Sequence, residues 1–103
     1  MIKIKNAEGK EFILEYDRDS IGFLEKIGFS LDDYAKKPAT MMPLLFRGAF
    51  YKNHKFVRQS EIDGIYKNIS KKTELMNKLV TMLGESYDDL VENKEGNLDW
   101  EEV

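Results

Sequence analysis

The chain has 103 residues, 42% apolar and 34% charged, with a net charge of −3 and no cysteine. This is the length of one domain with one modest core. The missing thiols exclude disulfides, iron–sulfur clusters and zinc ribbons, and the near-balanced charge announces no nucleic-acid partner.

In chain order, Met1-Ile2-Lys3-Ile4-Lys5 alternates apolar and basic residues. That is a strand pattern and lacks the continuous apolar stretch of a signal peptide. No apolar run approaches the ~18 residues of a membrane span, so a cytoplasmic location and no membrane contact are expected. Asn6 to Lys10 supplies turn chemistry, with Gly9 suited to positive φ. The return arm, Glu11 to Tyr16, puts Phe12, Leu14 and Tyr16 on one face and Ile13 on the other. Asp17 or Asp19 can cap a helix with Ile21, Phe23, Leu24 and Ile27 as its apolar stripe, and Gly28 fits the left-handed residue that closes it.

Ser30 opens a short turn over 31–36, with Asp33 at the capping-box position, and Pro38 stops it. Thr40 then caps a helix running to Lys52, with Pro43 in its first turn. This segment is apolar nearly all round, as a central helix would be, and Gly48 and Ala49 let a neighbour approach closely. Asn53-His54-Lys55 ends it. Ser60-Glu61-Ile62-Asp63 begins a helix with Ile62, Ile65, Tyr66 and Ile69 inward. Ser70 caps the last helix, Lys71 to about Val91, in which Leu75, Met76, Leu79, Val80, Met82 and Leu83 are apolar and Gly84 marks a kink or break.

From Glu85 onward there are eight acids and one base, Lys94. No stable element is expected after Asn93. The predicted organisation is an α+β domain over 1–92, an N-terminal β-hairpin followed by a bundle of about four helices, and an acidic tail over 93–103.

No chemical constellation stands out. His54 is the single histidine, and Lys52 and Lys55 nearby would lower its pKa and repel a metal cation, so it reads as a surface residue at a helix end. The carboxylate pairs Asp32-Asp33, Asp88-Asp89 and Glu101-Glu102 are neighbours in sequence, which point about 100° apart on a helix and share no acid site. No phosphate-binding glycine loop occurs. The reading is a non-enzyme with no catalytic residue, no metal and no cofactor, acting by binding proteins.

Two segments are candidates for that binding. Between Asp33 and Glu61 there is no acid but six bases, Lys36, Lys37, Arg47, Lys52, Lys55 and Arg58, interleaved with Phe46, Phe50, Tyr51 and Phe56. They form a nucleic-acid face, or else core aromatics with solvated basic flanks, which the negative net charge favours. A third reading is electrostatic attraction of this chain's acidic tail, or a neighbouring copy's. The other candidate is Leu98 with Trp100, at alternate positions of an extended segment. They act as docking anchors, or they fold back on the core.

The order of these features resembles a family. Glu11-Phe12-Ile13-Leu14-Glu15-Tyr16-Asp17-Arg18-Asp19-Ser20 is followed by Phe23-Leu24-Glu25-Lys26-Ile27-Gly28-Phe29. Then come the apolar segment from Lys37-Pro38 to Phe50 and the closing Gly96-Asn97-Leu98-Asp99-Trp100-Glu101. Over most of its length the chain is similar to the small tail assembly chaperones of long-tailed phages and prophages of Gram-positive hosts. The resemblance implies a non-structural morphogenesis factor in the host cytoplasm. Such a factor coats the tape measure protein, helps recruit tail tube protein, and is lost from the mature tail. Coating by many weak copies gains avidity, and a homo-oligomer stays open. Met41, Met42, Leu45 and Phe46 are the expected helix-accepting groove, and Leu98 and Trp100 the contact to a second partner. The competing readings are a small nucleic-acid-binding or regulatory phage protein using 36–58, and a structural tail or head-completion component.

Overall fold

The computed structural model describes residues 1–91, Leu98, Glu101 and Glu102. Two strands, β1 (Ile2–Lys5) and β2 (Glu11–Leu14), pair antiparallel with Ile4 opposite Phe12 and Lys3 opposite Ile13. Five helices follow: α1 (Arg18–Lys26), α2 (Leu31–Tyr34), α3 (Pro38–Ala49), α4 (Gln59–Asn68) and α5 (Lys72–Val91). The expected α+β class and hairpin-first order hold. The 92/93 boundary of the tail lies outside the described residues, as does Trp100. Among the described residues no helix is long and apolar enough to cross a membrane.

The hairpin turn is built on Asn6. Its side-chain oxygen accepts the N–H groups of Glu8 and Lys10 at 3.0 and 2.9 Å, and its carbonyl accepts that of Gly9, whose φ is +83°. This is the three-residue loop in which a left-handed glycine closes the turn. Phe12, Leu14 and Tyr16 enter the core as the alternation predicts.

Asp17 alone caps α1. Its carboxylate accepts the Ser20 N–H at 2.8 Å, and the Ser20 hydroxyl accepts the Asp17 N–H at 3.2 Å, a reciprocal capping box. At the other end, Phe29 N–H reaches Leu24 O and Gly28 N–H reaches Glu25 O, with Gly28 at φ +94°. That pair of bonds is the Schellman closure, and it turns Phe29 into the core.

Several helix ends differ from expectation: Ser30 makes no side-chain cap at α2, and α3 stops at Ala49, short of Lys52. Pro38 does not merely stop α2; it sits in the first turn of α3, where its missing N–H costs nothing, and Thr40 is therefore not the cap. The early start leaves Pro43 inside the helix rather than in its first turn. α4 begins at Gln59, before Ser60, with no side-chain cap. α5 starts at Lys72 behind Lys71, a non-glycine residue at φ +52°, and it runs through Gly84 unbroken, as the surrounding hydrogen-bonded turns allow.

α3 is the central helix, packed against α1, α2, α4 and α5. Gly48 makes this possible: a Cβ there would lie 2.3 Å from Leu24 Cδ2, so only glycine lets α1 come this close. Leu45, Phe46, Ala49 and Phe50 are buried along α3 and its C-terminal turn, joined by Met76, Leu79 and Leu83 of α5.

Candidate functional site

The buried face of α3 corrects part of the expected groove. Met41, Leu45 and Phe46 are in the core at 5%, 0% and 0% exposure, and only Met42 is half-buried. α3 packs against four other helices and leaves Met42, Pro43 and Leu44 partly exposed. Leu98 is 91% exposed.

The segment after α3 builds a surface instead. The last helical carbonyl, that of Ala49, has no partner within the helix and accepts the Glu15 N–H at 3.1 Å. The chain then turns through Tyr51–Asn53 and fastens to the outer edge of β2. His54 Nε2 accepts the Ile13 N–H at 2.9 Å, and Asn53 Nδ2 donates to the Ile13 carbonyl at 3.3 Å. His54 is therefore a structural acceptor, half-buried with its ring edge toward Phe12, and not the free surface residue expected. Its pKa is lowered, but by burial first and then by Lys10, not by Lys52 and Lys55. An Nε2 that accepts a backbone N–H has no room for its own proton.

The six expected bases do not act alike. Lys52 is bound to the Glu15 carboxylate. That hydrogen bond holds Glu15 below the usual carboxylate range and raises Lys52. Arg47 lies over the Phe23 ring at 5.3 Å, and Lys55 lies over the Tyr51 ring at 4.9 Å. The two rings stack at 4.5 Å with planes 12° apart. No cation fits between rings that close, so the order is Arg47, Phe23, Tyr51, Lys55, a four-layer stack. Beside it a recess of about 140 Å³ is lined by these four residues together with Phe50, His54, Val57, Gln59 and Ile62. Lys36, Lys37 and Arg58 are exposed and outside the stack.

Phe56 follows directly on Lys55 and is 95% exposed. It is a large apolar side chain held almost wholly in water, directly after the segment that Asn53 and His54 fasten to Ile13. Sequence reasoning counted Phe56 only among aromatics of the basic stretch and assigned Phe23 to the inner face of α1. The four-residue spacing of Arg47, Tyr51 and Lys55 gave no signal for the stack, since α3 ends at Ala49 and Tyr51 and Lys55 lie beyond it. The exposure of Phe56 had none either, because it depends on where α3 stops.

Among the described residues no three histidine, aspartate or glutamate side chains are grouped as a metal ion would need. No curated protein and no solved structure matches the chain. A family described as Domain of unknown function (DUF5055) matches residues 1–102. With that span of the sequence accounted for, the chain belongs to the DUF5055 family.

Proposed function

We propose that the protein is a non-enzymatic phage tail assembly chaperone that binds the tape measure protein and helps recruit tail tube subunits, and that Phe56 is its main contact. The resemblance in the sequence supplies the partner. The observation that carries the contact is the 95% exposure of Phe56 on a rigid basic loop. Aromatic and arginine side chains dominate the energy of protein interfaces, and Lys55 and Arg58 lie close to Phe56 in sequence, which suits a partner helix with acids around an apolar stripe. Repetition of such a modest contact along one long partner gives avidity without a large individual interface.

The competing nucleic-acid reading of 36–58 gains less support. Both outer faces of the Phe23–Tyr51 pair are taken by this chain's own cations, which leaves Phe56 as the one exposed aromatic ring of 36–58 on which a base could stack. A gel shift at physiological salt is expected to show no retention of nucleic acid. The structural-component reading is separated by mass spectrometry of purified particles, from which a chaperone is absent.

Co-expression with the cognate tape measure protein is the direct test. The wild-type chain should keep that protein soluble, and Phe56→Ala should lose the effect while remaining folded. A tape measure protein that is soluble alone, or insoluble with the chaperone, defeats the proposal.

A further inference from the structure

The two edges of the hairpin are unequal. On β2 the N–H and carbonyl of Ile13 face away from β1 and are taken by His54 and Asn53. Backbone groups alternate between the two sides of an antiparallel strand, and Lys3 stands opposite Ile13. Ile2 and Ile4 therefore turn their backbone groups to β2, and Lys3 and Lys5 turn theirs outward. Among the described residues no hydrogen bond reaches the outward groups of Lys3 and Lys5.

A groove of about 470 Å³ runs beside this edge, lined by Ile2 and by Glu74, Asn77, Lys78, Thr81 and Met82 of α5. Its walls are mainly apolar: Ile2 and Met82 are half-buried, and the stems of the polar residues cover the rest. Ile2 is the one residue of β1 in its lining, so the groove opens at the Ile2 end of that strand.

The geometry points to residues 98–101 of a second copy adding to β1 as that third strand, with Leu98 and Trp100 entering the groove and Asp99 and Glu101 beside Lys3 and Lys5. Three observations fit this occupant. The segment Leu98-Asp99-Trp100-Glu101 alternates apolar and acidic residues with period two, as a strand with one buried face requires. Leu98 is left 91% exposed by its own chain, so its side chain is available to a second copy. The charges also complement. Lys3 and Lys5 share one carboxylate, that of Glu11, at 3.4 and 3.9 Å, which leaves the edge net positive, and Lys78 adds to it, against Glu74. Exposed pairs of this kind exchange partners at little cost. The contact is independent of the Phe56 surface and of the tape measure protein, so it goes beyond the proposed function. Because the donor and acceptor surfaces differ, each copy can receive one tail and give another.

Trp100 is the sole tryptophan, so its fluorescence reports the contact in the full-length chain. Emission should shift to the blue as protein concentration rises from sub-micromolar to millimolar, in step with a rise in mass by sedimentation. Leu98→Asp should remove both changes. So should Lys3→Pro, which deletes one outward N–H and leaves the β1–β2 ladder intact. If circular dichroism shows Lys3→Pro misfolded, Thr81→Glu takes its place, since it sets a charge in the groove at an exposed position. Solvent-exposed emission at every concentration overturns the proposal. A blue shift independent of concentration also overturns it, because the tail then docks on its own chain. So does a concentration-dependent shift that survives the folded edge or groove variant.

Discussion

Residues 38–50 and 51–58 both carry aromatic side chains and no acid, but the first has one base in thirteen residues and the second three in eight; one supplies core and the other surface. Phe46 is fully buried; Phe56, ten residues on, is 95% exposed. The difference lies in the backbone. The terminal carbonyl of α3, that of Ala49, is taken by Glu15, the residue after β2, and the following turn is fastened to β2 through Asn53 and His54. Lys55 and Phe56, directly after His54, are carried outside. Hydrophobicity says that a side chain gains by burial; the hydrogen bonds that stop a helix decide whether burial is reached.

The sharpest break of this comparison is to truncate the two phenylalanines separately. Phe46→Ala should lower stability by about 3–5 kcal/mol, the usual cost of removing a buried phenylalanine. Phe56→Ala should change it by less than about 0.5 kcal/mol, as surface substitutions do. Urea denaturation measures both. Equal effects would mean that Phe56 is packed in solution, and the proposed contact would lose its basis.

Next in size is the close approach of α1 to α3. Gly48→Ala places a methyl 2.3 Å from a Leu24 side chain that is itself fully buried. Overpacking of this kind should cost about 1–3 kcal/mol, whereas helix propensity alone would make alanine favourable by about 1 kcal/mol. The sign of the change decides between them. Thermal unfolding of Gly48→Ala at a higher temperature than wild type would show that the two helices are looser than described.

These two positions also mark how far the sequence could be read. The buried alternation Phe12, Leu14, Tyr16, the central place of the all-apolar α3 and the closeness implied by Gly48 follow from periodicity and residue size. So do the Asp17 cap and the Gly28 closure. The helix starts misjudged at Thr40 and Ser60 have one cause: a serine or threonine can cap, but the backbone began each helix earlier without a side-chain cap. The candidate site was less legible. Treating 36–58 as one patch missed that Lys52 is neutralised by Glu15 and that Arg47 and Lys55 are held over rings. Met41, Leu45 and Phe46 looked available because an amphipathic stripe cannot be found on a segment that is apolar all round. Each of these depends on contacts tens of residues apart in sequence.

The Tyr16 hydroxyl is a smaller probe of the same core. It is buried and donates to the Leu45 carbonyl at 2.7 Å, and burial raises its pKa well above the ordinary tyrosine value. Tyr16→Phe removes one hydrogen bond and should cost about 0.5–1.5 kcal/mol. A neutral or stabilising result in urea would show that the phenol is not bonded there.

The subtlest test acts on the fastening that separates the two segments. His54 must be neutral to accept the Ile13 N–H, and its folded pKa lies below the ordinary 6.5, through burial and then Lys10. Between the folded value and 6.5 the unfolded chain binds more protons than the folded chain, so stability rises with pH across that window. The contribution is fully present above 6.5 and is lost as pH falls through the folded value. Glu15 adds a separate loss at lower pH, since its folded pKa lies below 4.5, held down first by the Lys52 hydrogen bond. His54→Gln keeps an acceptor that does not titrate. Denaturation midpoints from pH 7 downward should therefore fall below 6.5 in wild type and stay level in His54→Gln until the carboxylate range. A decline of equal slope in both proteins would mean that another group carries the pH dependence. The loop bearing Phe56 would then not be held by the His54 bond to β2.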